Sequence, residues 1–512
     1  MPVTTTRAAL KGCATCGMDW GGGIGQVDIS MISKLKTSWE WLKPHPTCFI
    51  LAILLIANLT PSPALANPPD TAVLSWGIID TPGSTADRND IRSPCELNAV
   101  AVAPDGKTIY AIDIPNATPP PVARPGLWKS SDGGITWSAK PAQRLSEATP
   151  GPILPVTDIA LAPADPDLIA VVCLDNASTL RHEVYLSYDG GSSWYYTGAI
   201  PWVYGGSEQI GDIAISPGYN LDGKLSHDII IGSRHPDDGN GEGEIYILTY
   251  PGFGSWKAQG FTSGDIIAVD CSPNYTGDFS LAVMACTTER TYVCIGHRDI
   301  AANTCTWNTD AGWPVEMCPP DQTGGIASGE DRIITGDIVL PGNFVGTSRE
   351  QRVIFAAYDS NGASQGTSQG LDDIYRLDDT IVNRLKLPGG GSGVRISTIA
   401  YAGDTETGKL LAGEVAARMT EASARVWICH DPLSSCPTWR LSTKPPTGGG
   451  KDGYANAQLV WSSEGSIAFC ATGSGNRYTP QKWANPTDAA WSGQSLDESA
   501  VSITEDSRFV EA

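Results

Sequence analysis

Short apolar stretches, each bounded by turn-forming residues, recur along most of the chain. One phrase of mainly apolar residues, often ending in proline, occurs seven times, and its equivalent positions are 54 to 68 residues apart. A second apolar stretch follows each copy after a turn. Apolar runs of this length between Gly, Pro and Asn clusters predict β-strands. The seven copies span residues 99–104, 158–163, 212–217, 267–273, 337–341, 399–402 and 458–462.

The repeat period indicates the architecture. Each unit contains a strand, a turn, a second strand and a hairpin, which amounts to four strands and one propeller blade. Seven units predict an all-β, seven-bladed β-propeller of four-stranded antiparallel blades. Residues 73–79 resemble an outer strand and residues 500–506 a third strand of the same blade, so we expect a ring closed by N- and C-terminal strands. The alternative is a truncated gene whose propeller once continued.

Two of the predicted hairpin turns share the pattern Ser-x-Asp-x-Gly-x-Ser/Thr-Trp. Asp followed by Gly-Gly supplies a side-chain acceptor for the amides of the turn and residues that tolerate positive φ. The trailing Trp is placed to pack the hairpin onto its neighbour. The pattern residues are Ser130, Asp132, Gly134, Thr136 and Trp137 in the first turn, and Ser187, Asp189, Gly191, Ser193 and Trp194 in the second.

On these two turns the chain resembles the Asp-box (BNR-type) propeller superfamily, which includes sialidases, sortilin-like receptors, xyloglucanases and photosystem II assembly factors. The resemblance implies that the box residues are structural. Sialidases add a Phe/Tyr-Arg-Ile-Pro phrase, an arginine triad, a Tyr-Glu pair and an acidic Asp. The nearest phrase here is Val394-Arg395-Ile396-Ser397, in the wrong repeat. Xyloglucanase-like catalysis would need two carboxylates across a cleft between propellers, and one propeller is predicted.

In repeats four and six a pair of cysteines brackets the turn before Thr-Trp. We expect disulfides Cys294–Cys305 and Cys429–Cys436 to close these hairpins in place of the Asp-Gly-Gly turn, which suits an oxidising location. The alternatives are reduced buried thiols or a metal site using His297 or His430. A third bridge is possible between Cys271 and Cys286, whereas Cys95, Cys173, Cys318 and Cys470 have no assigned partner.

The N-terminal region resembles a leader. Residues 49–59 form an apolar core of signal-peptide length, preceded by lysines and followed by the small-x-small site Ala64-Leu65-Ala66. We therefore expect a leader over residues 1–66, with Met31 a possible true start, and a single propeller over 67–512. The location would be secreted or extracytoplasmic, with no membrane insertion after cleavage. An uncleaved anchor is the alternative, although the run is short for a bilayer span.

Composition and charge narrow the partners. The chain has 56 Gly, 37 Pro and 16 Trp but only 8 Phe, which favours many short strands joined by tight turns. Without residues 1–66, 29 Lys and Arg stand against 53 Asp and Glu, a net charge of −24. This charge argues against nucleic acid and anionic membranes as partners. No cofactor is predicted. The acidic loop 237–244 is compatible with calcium, and the alternative is a solvated turn.

Four aspartates stand at or near the start of predicted innermost strands, where a propeller channel opens. They are Asp158, Asp212, Asp265 and Asp337. Converging carboxylates would suit a cation site or the acid and base of a glycosidase, and the alternative is strand-start residues that accept hydrogen bonds from turn amides. The first hypothesis is a monomeric binding or scaffold module for a protein or a carbohydrate. The second is a glycoside hydrolase of sialidase or xyloglucanase type.

Overall fold

Antiparallel sheets make up most of the computed structural model. It describes residues 97–113, 126–134, 136–149, 156–174, 181–204, 208–235, 242–252, 254–287, 290–317, 333–360, 373–388, 396–414, 425–441, 456–462, 465 and 468–473. No helix among these residues is long and apolar enough to span a membrane. The predicted leader and the expected closing strands at 73–79 and 500–506 lie outside them.

Strands that are consecutive in the sequence pair side by side in most of the sheets, and the exceptions lie in the third and fourth blades. The first blade contains β1 (Leu97–Val102), β2 (Ile109–Asp113) and β3 (Leu127–Ser130), followed by helix α1 (Lys140–Ala148). The second contains β4 (Val156–Ala162), β5 (Asp165–Leu174), β6 (His182–Ser187) and β7 (Tyr195–Tyr196). The third contains β8 (Gln209–Ile215), β9 (Tyr219–Leu221), β10 (Lys224–Arg234), β11 (Ile245–Tyr250) and β12 (Lys257–Ala258).

The remaining sheets continue this order. The fourth blade contains β13 (Asp265–Cys271), helix α2 (Tyr275–Asp278), β14 (Ser280–Cys286), β15 (Thr291–Asp299), β16 (Thr304–Trp307) and β17 (Val315–Glu316). The fifth contains β18 (Ile333–Val339), β19 (Val353–Ser360), β20 (Ile374–Asp378) and β21 (Ile381–Arg384). The sixth contains β22 (Ile396–Gly403), β23 (Gly408–Glu414), β24 (Arg425–Cys429) and β25 (Trp439–Leu441), and a last sheet contains β26 (Asn456–Trp461) and β27 (Ala468–Gly473).

This topology confirms an all-β propeller and corrects the number of blades. The prediction of seven four-stranded blades is wrong, because six sheets with three to five strands form the blades. The seventh repeat supplies only the two-stranded sheet β26–β27 within the described residues. Its inner strand β26 contacts both β22 of the sixth blade and β1 of the first. The hairpin therefore lies between the sixth and the first blade, and the described residues contain no outer strands that continue it.

The second strand of each blade is buried on both faces, which explains its unbroken apolar sequence. In β10, Ile229 and Ile231 pack against the second blade, whereas Ile230 packs against the fourth. All three side chains are fully buried. Burial on both faces removes the polar alternation of a one-sided strand, so a run of three isoleucines indicates a strand between two neighbouring blades.

Glycine before the channel aspartate is needed because adjacent blades approach closely. A Cβ atom on Gly211 would clash with the backbone carbonyl of Ile266 in the next blade. A Cβ atom on Gly336 would clash with the methyl group of Met284 in the preceding blade. At Gly211-Asp212 and Gly336-Asp337, a close contact that requires glycine thus stands directly before a channel carboxylate.

Tryptophans join four of the hairpins to the blade before them. The indole of Trp194 in the second blade donates a hydrogen bond to Pro141 O of α1, at 3.0 Å. Three later tryptophans donate similar bonds to residues that follow the last strand of the preceding blade. The indole of Trp256 donates to Thr197 Oγ1, that of Trp307 to Gln259 O and that of Trp439 to Leu385 O. Apolar packing and one directed bond therefore recur at four blade interfaces.

Candidate functional site

Three of the four predicted aspartates lie near one another on the innermost strands β4, β8 and β18. Asp158, Asp212 and Asp337 are close enough for the charge of Asp337 to raise the pKa of both other carboxyls. Asp265 does not join them. Its side chain is buried and accepts a hydrogen bond from the backbone N–H of His235 at 2.7 Å. Asp265 therefore matches the alternative interpretation, in which a strand-start aspartate accepts a hydrogen bond from a backbone amide.

The fourth carboxylate of this group is Asp270, which the sequence pattern did not reveal. Asp270 lies on β13, and the charge of Asp337 raises its pKa. In the second, third and fifth repeats the channel aspartate is four or five residues before the proline, but in the fourth repeat Ala268 lies five residues before Pro273. A displacement of two residues keeps a side chain on the same face of a strand. That alternation was the signal that could have identified Asp270.

The channel carboxylates bind the backbone of the following blade. Asp212 Oδ2 accepts a hydrogen bond from the N–H of Val269 at 2.7 Å. Asp337 Oδ2 accepts bonds from the N–H of Ile399 at 2.9 Å and from Thr398 Oγ1 at 2.8 Å. Asp270 likewise accepts a bond from the N–H of Leu340. These carboxylates therefore hold successive innermost strands together.

Burial and crowding favour the protonated form of all four groups. Burial raises the pKa of Asp158 and of Asp270 to about 7 and that of Asp337 to about 6. Burial and the charge of Asp158 raise the pKa of Asp212 well above its usual range. The side chains lie deep in the ring but retain some solvent contact through the channel. Within the described residues, no group of three or more acidic, His or Cys side chains is arranged to hold a metal ion.

A cavity of about 530 Å³ opens beside Asp337, between the innermost strands β18, β22 and β26. Its other walls include Val339, Tyr401 and Trp461. The indole of Trp461 is already bonded to Ala400 O at 3.0 Å. Among the described residues that line the cavity, Asp337 alone is acidic. A glycosidase needs two carboxyl groups that face one substrate, and the described lining of this cavity supplies one.

The two turns with the shared pattern contain the same hydrogen bonds. In the first, Ser130 Oγ donates to Asp132 Oδ1 at 2.8 Å, and Thr136 Oγ1 donates to Asp132 Oδ2 at 2.6 Å. The corresponding bonds to Asp189 in the second turn are 2.9 Å from Ser187 Oγ and 2.5 Å from Ser193 Oγ. In both turns, the two carboxylate oxygens of the aspartate accept the hydrogen bonds that close the hairpin.

The turn of the sixth blade keeps these contacts with cysteine in the place of serine. Cys429 Sγ donates to Asp431 Oδ1 at 3.2 Å, and the N–H of Thr438 donates to the same oxygen at 2.7 Å. Cys429 is a free buried thiol, and Cys436 is a free exposed one. The structure thus does not support the predicted Cys429–Cys436 disulfide. An aspartate therefore closes this turn as well. The sequence pattern did not reveal it, because the longer loop changes the spacing between the aspartate and the threonine.

The other predicted disulfides are also unsupported, because the ladder separates the cysteines. Arg298 stands opposite Cys305, and Cys294 lies four residues back on β15, about 13 Å along the strand. A disulfide needs Cα atoms within roughly 7 Å. Cys271 pairs with Leu281 and Cys286 with Asp265, at opposite ends of one ladder. None of these four cysteines forms a disulfide, nor does Cys173 or Cys470, whereas Cys95 and Cys318 lie outside the described residues.

The Cys429 contact leads to a prediction about stability. Cys429→Ser is expected to preserve or slightly raise the thermal midpoint, because serine makes this contact in the two other turns. Asp431→Ala should lower the free energy of unfolding by about 1 kcal/mol, since it removes the hydrogen bond that the N–H of Thr438 donates. Denaturant titration of both variants measures this. A large loss for Cys429→Ser, or none for Asp431→Ala, would contradict the assigned turn.

The predicted ion ligands are engaged elsewhere. In the acidic loop, residues 237–241 lie outside the described part of the chain. Glu244 accepts backbone hydrogen bonds from Ile245, Gln259, Gly260 and Phe261. His297 Nδ1 is 3.0 Å from Ser280 Oγ. Neither Glu244 nor His297 belongs to a group of described ligands that could bind a metal.

A surface of tyrosines lies between the second and third blades. Tyr188, Tyr195 and Tyr196 are 43%, 47% and 48% exposed, which is unusual for large aromatic side chains that lie together. Tyr188 stacks on Tyr195 with ring centroids 4.7 Å apart and on Tyr250 of the third blade at 5.6 Å. We call these four residues the tyrosine surface. Sequence reasoning missed it, because only the fold brings Tyr250 to the Tyr195–Tyr196 strand.

The tyrosine surface borders a pocket of about 320 Å³. Leu186 and Leu248, both buried, form its apolar part. No charged side chain is among the described lining residues, which are Leu186, Tyr195, Tyr196, Thr197, Leu248, Thr249, Tyr250, Pro251, Gly252 and Gly254. The pocket is therefore neutral, aromatic and open to solvent beside exposed rings. Such a combination is typical of binding sites.

A buried ion pair lies behind this pocket. Arg298 Nε donates to Asp228 Oδ2 at 3.1 Å, and both side chains are fully buried. Asp228 also accepts bonds from the hydroxyls of Tyr219, Tyr275 and Thr249, at 2.9, 2.8 and 2.5 Å. These groups come from the third and fourth blades, so the network fastens two blades together.

Comparisons with known proteins give structural likeness only. No protein-family model and no curated protein sequence matches the chain. The Dos1 propeller has a TM-score of 0.42 at 10% identity, with 78% of this chain and 81% of that chain covered. A puromycin-hydrolysing peptidase of Mycobacterium tuberculosis scores 0.37 at 13% identity, covering 78% and 54%. TolB from Agrobacterium tumefaciens has a TM-score of 0.34 at 16% identity, with 64% of this chain and 92% of that chain covered. The chain is thus similar to several solved structures at low identity.

Proposed function

We propose that this protein is a secreted binding or scaffold module of the Asp-box propeller superfamily, and that it holds a protein or glycan ligand at the tyrosine surface. The observation that carries the proposal is the cluster of Tyr188, Tyr195 and Tyr196, each more than two-fifths exposed, beside a neutral pocket. Single exposed apolar residues are ordinary, but a contiguous patch marks an interaction site. The shared hydrogen bonds of the two Ser-x-Asp turns support the superfamily.

The channel carboxylates support a structural role better than catalysis. Asp212 and Asp337 each accept hydrogen bonds from the next blade, and these bonds occupy oxygens that a nucleophile or general base would present to a substrate. Among the described acidic residues, Asp337 alone lines the neighbouring cavity. One observation favours the second candidate, a glycoside hydrolase: the pKa of Asp158 and Asp270, raised to about 7 by burial, is suited to a general acid.

The two candidates predict different results for the same purified protein. We expect binding on a glycan array or to protein partners without turnover of a panel of chromogenic glycosides. Tyr195→Ala should weaken that binding at least tenfold, because an exposed aromatic anchor is worth about 1.4 kcal/mol or more. Asp337→Asn should leave binding unchanged. Hydrolysis of any glycoside that is lost in Asp337→Asn would establish the enzyme and reject the binding module.

A further inference from the structure

The turn that carries Tyr188 and Tyr195 does not need tyrosine for its own structure. Tyr188 directly follows the first serine of the Ser-x-Asp pattern, and Tyr195 directly follows its tryptophan. In the turn of the first blade, which has the same hydrogen bonds, Ser131 and Ser138 stand at these two positions. The hydrogen bonds of the turn therefore do not determine the residue at either position, and the two tyrosines need a separate explanation.

The rings of Tyr188 and Tyr195 lie against each other at the surface of the protein. Their centroids are 4.7 Å apart, their planes differ by 13°, and the side chains are 43% and 47% exposed. The two hydroxyls are hydrogen-bonded to each other, and this bond lowers the pKa of Tyr195. A phenolate loses an electron more readily than a phenol does. Tyr195 is therefore readily oxidised, and a second phenol is already in contact with it.

Other tyrosine pairs lack one of these properties. Tyr358 and Tyr375 are stacked with centroids 5.8 Å apart, but both side chains are buried. Tyr196 is exposed, but its neighbour Tyr185 is buried and the two rings are tilted by 43°. Among the described tyrosine pairs, only the pair in the turn of the second blade is thus stacked with both side chains exposed.

We propose that Tyr188 and Tyr195 form a modification site at which a one-electron oxidant, such as a peroxidase with hydrogen peroxide, links the two rings into a dityrosine. Each ring loses one electron to the oxidant and one hydroxyl proton to water, which leaves two phenoxyl radicals. A carbon ortho to each oxygen then forms the new carbon–carbon bond, and the two ortho hydrogens move to the oxygens and restore the phenols. The peroxide accepts both electrons with two protons and becomes water.

Contact within the molecule directs this coupling. Two groups that are held together react far faster than the same groups that must first meet by diffusion. The new bond joins the two ends of the Ser-x-Asp turn of the second blade and closes it covalently. Because the described cysteines form no disulfide, this bond is a kind of cross-link that the described part of the chain otherwise lacks.

The experiment oxidises the purified full chain at low protein concentration with a peroxidase and hydrogen peroxide, and it follows the fluorescence of dityrosine. Trypsin then releases residues 182–224, which contain both tyrosines, as a peptide separate from residues 235–257, which contain Tyr250. We expect the first peptide to lose two hydrogen atoms. It should give no fragment ions from breaks within residues 188–195, because the new bond makes that segment a ring.

Substitutions that keep the ring test the assignment of the two residues. Tyr188→Phe and Tyr195→Phe should each lower the yield by about tenfold or more, because phenylalanine forms no phenoxyl radical and any other partner is held less closely. Tyr196→Phe, which changes the third exposed tyrosine of the same surface, is the matched control and should cross-link like the wild type. The yield should rise as the pH approaches the pKa of Tyr195 from below, since the phenolate fraction rises.

Several results would overturn this assignment. A link between the peptides 182–224 and 235–257 would identify Tyr250 as the partner, and a cross-linked dimer would show that contact within the molecule does not direct the coupling. Full yield in both phenylalanine variants, or an unchanged mass of the wild-type peptide, would also overturn it. The wild-type mass decides this even if a variant does not fold. Ligand binding at the tyrosine surface is a separate measurement, so a failure here leaves the proposed function standing.

Discussion

Replacing Arg298 with alanine is expected to lower the free energy of unfolding by about 3–5 kcal/mol, far more than the loss of an exposed ion pair would. The substitution leaves the Asp228 carboxylate fully buried without its cation. Three hydroxyls still donate to Asp228, but none of them carries a positive charge. Because the network joins the third and fourth blades, the loss should appear as reduced cooperativity as well as a lower midpoint.

Chemical denaturation followed by tryptophan fluorescence measures this effect. The matched control is Arg144→Ala, which breaks an exposed pair with Glu147 that is 2.7 Å long, and its effect should stay below about 1 kcal/mol. Arg298→Lys keeps the charge and should fall between the two. If Arg298→Ala unfolded at the same midpoint as Arg144→Ala, the ion pair would contribute nothing to the contact between the blades.

The second large effect is a gain in stability as the pH falls from 8 to 5. The pKa of Asp270 is about 7 in the folded protein and 3.8 ordinarily, because burial disfavours the charged form. The folded state therefore binds more protons than the unfolded state in this window, and the contribution to stability is complete below pH 3.8 and lost as the pH rises through 7. Asp158 and Asp337 act in the same direction. Burial lowers the pKa of His182 to about 4, which opposes them.

Comparison with Asp270→Asn isolates the carboxylate contribution. Asparagine keeps an oxygen that can accept the hydrogen bond from Cys271 N–H, which is 2.7 Å long in the wild type, but it cannot ionise. Its stability should vary less with pH than that of the wild type, by on the order of 2 kcal/mol between pH 8 and 5. Asp404→Asn is the control, because backbone hydrogen bonds lower the pKa of exposed Asp404 and it does not titrate in this range. Identical pH profiles for wild type and Asp270→Asn would contradict the account.

The sequence was sufficient for features that depend on local pattern. The seven repeated phrases predicted where the first two strands of each unit lie, since the alternation of strand and turn is encoded within about sixty residues. The three Gly-Asp-Ile phrases predicted the channel positions of Asp212 and Asp337 and missed that the fourth repeat places Asp265 elsewhere. A shift of two residues moved the carboxylate to Asp270, and pattern matching to a fixed phrase does not follow such a shift.

Features that depend on contacts between units were not predictable in the same way. The cysteine pairs looked suited to disulfides because they are close in sequence, but the ladder places Cys294 away from Cys305. The number of blades depended on how the last repeat is completed, which repeat length alone does not decide. The tyrosine surface needs Tyr250 to stack against Tyr188, 62 residues earlier in the chain, and no periodicity connects the two positions.

The tryptophan hydrogen bonds between blades all run from a later residue to an earlier one in the sequence. Trp194, Trp256, Trp307 and Trp439 each donate to a group that precedes them in the sequence. During synthesis, which releases the N-terminal part of a chain first, the acceptor has already left the ribosome when its tryptophan emerges. Each new blade thus meets a finished docking surface, and the ring can be assembled in the order of translation.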